Sequence, residues 1–218
     1  MANHLITSCT KGKQEDTLLY KCNQLRNKQF HCDIIEYNTE GLSKKYNEII
    51  EKYKNRGYDY IHFVHDDVFI YDDIDIIDYI VNEYKFDIFG VAGSSRSTVK
   101  PPYLWHLMSD KRCSLGSVEH GKVTESYLST FGANYGNCVI MDGVYMGINL
   151  KTIGEWRFNE NFDFHFYDIA SSIDAFKKGL KLGIIPIHIR HEAKLYNPLE
   201  NECWQKNAKK FEELYVRK

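Results

Sequence analysis

The chain has 218 residues, with 28 Lys or Arg against 30 Asp or Glu and a formal net charge of −2. It therefore has no general positive field with which to hold nucleic acid or an anionic membrane surface. Hydrophobic residues make up 43% and aromatic residues 14%, which excludes a disordered chain and fits a single folded domain over residues 1–218.

In chain order, short apolar runs alternate with helical patterns, as in a mostly parallel sheet flanked by helices. Residues 4–9 predict a strand, 14–27 a polar helix and 33–37 a second strand. After Gly41, the residues Leu42, Tyr46, Ile49, Ile50 and Tyr53 fall at helical spacing, with Ser43 as candidate N-cap and Gly57 as the stop. Residues 58–65 read as a buried strand. Asp72, Asp73 and Asp75 then precede Ile77, Ile80, Val81 and Tyr84, a helix with acids in its first turn where the macrodipole favours them. A strand is expected over 86–92. Periodicity fails over 93–136, where Pro101, Pro102 and Trp105 predict a long loop region carrying a binding surface. Strand-like sequence returns at 138–150; a helix over 168–178 turns Ile169, Ile173 and Phe176 inward, a last strand covers 181–189, and a charged helix covers 200–216.

The start of the chain lacks the basic and apolar segments of a signal peptide, and no run approaches the roughly 18 apolar residues of a membrane span. A soluble, cytoplasmic protein with no integral membrane segment is the expectation. Cys9, Cys22, Cys32, Cys113, Cys138 and Cys203 form no C-x-x-C pair, so they read as reduced thiols.

His65-Asp66-Asp67 follows the apolar run 60–64, at the carboxyl end of a strand where open α/β sheets place their ligands. Two carboxylates there either shape a turn or hold a divalent cation against a diphosphate. In His188-Ile189-Arg190-His191 the two imidazoles are three apart on a strand and face opposite ways, so His191 alone could share such a site; otherwise it is a structural hydrogen-bonding residue. His191-Glu192-Ala193-Lys194-Leu195 is no zincin motif, since Leu195 stands where His is required. Residues 162–168 mix Asp163, His165 and Asp168 with four aromatic rings just before a helix, and Asp168 is there either an N-cap or an acid–base group. Asp142-Gly143 interrupts an apolar strand, where Gly permits close approach of a ligand or marks a bulge. Neither a phosphate-binding glycine loop nor a G-x-S-x-G elbow is present, which disfavours a P-loop ATPase, a dinucleotide dehydrogenase and an α/β-hydrolase.

Five segments carry a resemblance: Gly41-Leu42-Ser43-Lys44-Lys45-Tyr46-Asn47, Phe63-Val64-His65-Asp66-Asp67-Val68, Met141-Asp142-Gly143-Val144, Phe164-His165-Phe166-Tyr167-Asp168 and Arg190-His191-Glu192. In this order the chain resembles GT-A glycosyltransferases, close to the family-2-like domains named after a streptomycin biosynthesis protein and similar to glycosyltransferase domains of large chlorella viruses. The resemblance implies an α/β Rossmann-like sheet with a small antiparallel or loop acceptor region, donor binding in roughly residues 1–92 and acceptor and catalytic parts in 93–218. His65-Asp66-Asp67 takes the place of the D-x-D motif, with His in its first slot. Mn2+ or Mg2+ would then be held by Asp67 and His191, with Asp66 on the ribose or the metal. The donor, a UDP-sugar, would meet Thr7, Ser8, Cys9, Tyr37, Asn38, Ser43, Asn47, Asp66, Asp142 and Gly143. The acceptor, a glycan or glycoprotein, would meet Trp105, His165 and Tyr167, with Asp168 as the base. A metal-dependent phosphohydrolase and a noncatalytic carbohydrate-binding module remain as alternatives from the residues alone.

Overall fold

The computed structural model describes residues 2–26, 30–73, 75–96, 102–108, 110–192 and 200–216; Asn27, Pro101 and residues 193–195, named above, lie outside them. Among the described residues seven strands make the main sheet, in the order β2 (His31–Ile35), β1 (His4–Cys9), β3 (Tyr60–Val64), β11 (Tyr145–Asn149), β5 (Ile88–Gly90), β12 (Leu182–Ile184) and β9 (Gly136–Cys138). β1 lies parallel to β2 and β3, and β5 to β12, whereas β11 and β9 run against their neighbours. A second sheet follows the order β10 (Ile140–Met141), β6 (Ala92–Ser94), β7 (Ser114–His120), β13 (Ile189–His191) and β4 (Val68–Ile70), with β8 (Tyr127–Thr130) antiparallel to β7.

The helices cover the sheets with the apolar faces their spacing dictates. In α2 (Leu42–Tyr53) the residues Leu42, Tyr46, Ile49, Ile50 and Tyr53 are all buried. In α3 (Asp75–Tyr84) the residues Ile77, Ile80 and Val81 go inward and Tyr84 stays partly exposed. α5 (Tyr167–Lys177) buries Ile169 and Ile173 but leaves Phe176 52% exposed, the inward position of its last turn being taken by the fully buried Ala175. Ahead of α1 (Leu18–Leu25), residues 14–16 form a separate turn and the Thr17 hydroxyl caps the helix by accepting from the Tyr20 amide.

Several expected boundaries move. The second strand stops at Ile35, since Tyr37 takes a left-handed φ of 50°. Gly41 occupies the N-cap of α2, while the Ser43 hydroxyl donates to the Phe162 carbonyl instead of capping. Asp72 does not cap α3; its carboxylate accepts from the His188 amide, tying β4 to β13. The strand expected over 86–92 divides at Val91 into β5 and β6, one in each sheet, and the expected 181–189 strand divides into β12 and β13. The aperiodic stretch 93–136 is largely ordered antiparallel structure, with β6, β7, β8 and the short α4 (Trp105–Met108). α6 (Glu202–Phe211) closes the chain against that region, with Phe211 fully buried. No helix among the described residues is long and apolar enough to cross a membrane.

Candidate active site

Strand pairing assembles the site from distant parts of the chain. β3 ends at Val64, and the β3–β11 register sets Tyr145 opposite Val64, so that the His65 amide donates to the Val144 carbonyl at 3.1 Å. Asp142 and Gly143 are thereby brought beside His65. On the other side, β13 runs antiparallel to β4 with His191 opposite Val68, and the Glu192 amide donates to the Asp67 carbonyl at 2.9 Å. The parallel β13–β7 pair sets His120 opposite His191.

These contacts draw His65, Asp67 and His191 into one cluster in which a nitrogen of each imidazole and a carboxylate oxygen lie within 4.8 Å of one another. His191 Nε2 stands 3.1 Å from Asp67 Oδ1. That oxygen and His65 Nε2 are buried with no properly directed hydrogen-bond partner among the described residues. Burial alone would raise the Asp67 carboxyl, yet His191 and His65 beside it carry it below the usual carboxylate range. Burial lowers His65, with the charge of His191 acting in the same direction and Asp67 opposing it. At ligand distances of about 2.0–2.2 Å two adjacent ligands of a cation sit roughly 3 Å apart, which the His191–Asp67 spacing matches. Unpartnered lone pairs converging on one point fit a divalent cation.

Two cavities lie nearby, of which the smaller has His65 on its wall, and Phe164 lines both, its ring stacked against His65 at 6.1 Å. The larger, about 810 Å³, is lined by Cys9, Asn38, Gly41, Ser43, Asp66 and Asp163, among others. Gly41 is needed there, since a Cβ would come within 2.9 Å of the Asp163 Cα and the Leu42 amide already donates to the Asp163 carbonyl at 2.6 Å. This wall carries Glu40, Asp66, Glu160 and Asp163 against Lys11 and Lys44, and Lys44 is ion-paired to Glu40. Such a lining repels a diphosphate unless a cation stands between them.

The smaller cavity, about 190 Å³, is an aromatic box of Tyr103, Trp105, Phe164, Phe166, Tyr167 and Trp204, with Asp142, Asp168, His106 and His165 on its walls. Asp168 sits in the first turn of α5, where the residue before the helix, Phe166, is left-handed and offers no side-chain cap. The Asp168 carboxylate accepts from the Ile169 amide at 2.9 Å and from the Gly143 amide at 2.8 Å. Burial, and then the negative charge of Asp142, push it up to about 7. Tyr167 is buried with its hydroxyl donating to the Gly143 carbonyl, and a Cβ on Gly143 would strike that hydroxyl at 2.5 Å.

Not every residue expected at the site reaches a cavity. Thr7 and Ser8 are fully buried in β1, and the Thr7 hydroxyl donates to the Asp33 carbonyl. Tyr37 is 60% exposed and lies off the wall of the larger cavity. Asn47 holds the 158–160 segment through the Phe158 backbone and Glu160, so it shapes the cavity without lining it. Trp105 lines the small cavity yet is only 2% exposed, packed on Phe131. Asp66 lines the larger cavity, and it is His65 that joins Asp67 and His191 in the cluster. His188 pairs with Glu119, away from His191. The place of His65 in the cluster, of Phe164 on both cavity walls and of Trp204 from the last helix was not foreseen; the spacing of His65 and Asp67, two apart after a strand and so able to share a side, was the available signal.

Residues 5–217 match the sequence profile described as a glycosyltransferase like family. The crystal structure of A197 from STIV superposes with a TM-score of 0.56 at 12% identity, covering 88% of this chain and 86% of that one. The crystal structure of S. aureus TarS 1-349 gives 0.47 at 10% identity, over 87% of this chain and 60% of that one. No curated protein matches the sequence. With the two-sheet α/β architecture of a GT-A fold and a profile match over nearly its whole length, the chain belongs to the glycosyltransferase-like family and is a glycosyltransferase.

Proposed function

We propose that this enzyme transfers a sugar from a nucleotide-sugar, with UDP as the nucleotide, to a glycan or glycoprotein hydroxyl. The observation that carries the reading is the convergence of His65, Asp67 and His191, with His65 on the wall of a small aromatic box that holds the half-buried Asp168 carboxylate, and with Asp66, next in the chain, on the wall of a cavity large enough for a nucleoside diphosphate. Cys9, Asn38, Ser43 and Asp66 would line the nucleotide, and Asp142 and Gly143 would border the donor sugar. Trp105, His165 and Tyr167 would shape the space for the reacting rings, since aromatic faces suit the apolar faces of pyranoses. Mn2+ or Mg2+, held by His65, Asp67 and His191, would offset the charge that develops on the departing diphosphate.

Asp168 is the proposed base. Its carboxylate is held by two backbone amides on the wall of the aromatic box, and its raised affinity for a proton suits a group that must take one near neutral pH. The acceptor oxygen gains the bond to the anomeric carbon, the bond from that carbon to the diphosphate breaks, and the hydroxyl proton passes to Asp168.

Calorimetric titration with UDP tests the donor half: binding is expected with Mn2+ present and strongly weakened in EDTA, and equal affinity in the two would contradict the reading. Incubation with UDP-sugars and glycan acceptors should then give elongated glycan; release of free sugar or phosphate alone would instead indicate a hydrolase.

A further inference from the structure

Resting on the reading of Asp168 as the base, we infer that Tyr167 is its positioning residue, the Tyr167 hydroxyl fixing Gly143 and Gly143 aiming the Asp168 carboxylate. The first two residues of α5 grip Gly143 on both sides of its Cα: the Tyr167 hydroxyl donates to the Gly143 carbonyl at 3.2 Å, and the Gly143 amide donates to Asp168 Oδ2 at 2.8 Å. Oδ1 accepts from the Ile169 amide at 2.9 Å. The two oxygens are thus held by different peptide groups, and the direction of the carboxylate follows the Gly143 amide. The approach is too close for any side chain at 143, since a Cβ there would stand 2.5 Å from the Tyr167 hydroxyl and 3.0 Å from the Asp168 Cβ. Tyr167 is 2% exposed, and a hydroxyl so buried needs its partners. Tyr46 on α2 supplies a second one, its phenol hydrogen-bonded to that of Tyr167; each phenol has one proton to give, so Tyr46 donates to Tyr167 and Tyr167 to Gly143. The chain enters α5 through Phe166 at a left-handed φ of 68°, a costly conformation for a bulky side chain that persists where its surroundings impose it. Neighbouring rings do so here, Phe166 lying 4.9 Å from Tyr103 and 5.2 Å from Trp204. At Asp168 burial and the charge of Asp142 favour the protonated acid, while the Gly143 and Ile169 amides favour the charged base. Removing the Tyr167 hydroxyl loosens Gly143 and leaves more of Asp168 protonated at a given pH.

The test is an NMR titration of the Asp168 carboxyl carbon in the full chain, wild type against Tyr167→Phe, followed by kinetics with a UDP-sugar and glycan pair that wild type turns over. In the variant the titration should move to higher pH by about one pH unit. Its kcat should fall by about 10- to 100-fold, with the acid limb of the rate profile moving up alongside the titration and the donor KM unchanged. The other titratable groups on the box wall, Asp142, His65, His106, His165 and Tyr103, are the same in both chains. The phenol removed is neutral near pH 7, because burial holds it well above its ordinary range, so the shift reports on the amide. An unmoved titration, or a fall in kcat with the acid limb in its wild-type place, would overturn the positioning role, as would a donor KM that rises in step, the mark of a structural loss. Should Asp168→Asn transfer at the wild-type rate while the titration still moves, the base reading fails and the positioning role in catalysis goes with it. Should Tyr167→Phe fail to fold, Tyr46→Phe decides in its place: a smaller shift in the same direction is expected, and no shift would overturn the proposal.

Discussion

At Asp168 one carboxylate is both the first-turn acid of a helix and part of the wall of the aromatic box. Its ordinary pKa of 3.8 is raised to about 7, first by burial and then by Asp142. Between those two values the folded chain keeps a proton that the unfolded chain gives up. The group therefore favours folding at low pH, and that contribution is lost as pH rises through about 7. Asp168→Asn removes the titration, so wild type should lose stability relative to the variant as pH rises from about 4 to about 7, read from urea midpoints; a difference independent of pH would contradict the burial argument. The same variant should slow transfer by about 10²- to 10⁴-fold while retaining UDP binding. Transfer at the wild-type rate would place the base elsewhere. This residue was legible in the sequence as an acid before a helix, but its two backbone partners were not, because the Gly143 amide reaches it only through the fold.

Elements whose faces follow local periodicity were readable, and those defined by distant pairing were not. α2 buries all five of its spaced apolar residues, since a helix lying on a sheet needs one continuous stripe. β4 and β13 are short, and β13 finds its partners β4 and β7 far back along the chain, so nothing local marks which residue faces His191. α6 shows what such distant packing does for function. Phe211 is fully buried, with its ring 5.7 Å from Tyr103 and 5.9 Å from Phe166, while Trp204 on the same helix lines the aromatic box. Phe211→Ala should cost about 3–5 kcal/mol of stability in urea unfolding and weaken acceptor use before donor binding. A loss under about 1 kcal/mol would show that α6 is not part of the core that shapes the box.

For the molecule as a whole, the two sheets serve one purpose at their meeting line. The main sheet delivers His65 from the end of β3 and sets the larger cavity beside β1, and the second sheet delivers His191 from the end of β13. A cation at that seam, held by His65, Asp67 and His191, would join donor to chamber. Crystals grown with UDP and Mn2+ and measured at the manganese absorption edge test this most directly. The account predicts one anomalous peak within about 2.3 Å of ligand atoms of His65, Asp67 and His191, with the nucleoside in the cavity walled by Cys9, Asn38 and Ser43. A nucleotide bound there with no anomalous peak at the cluster, or a peak held by Asp66 away from both histidines, would contradict it.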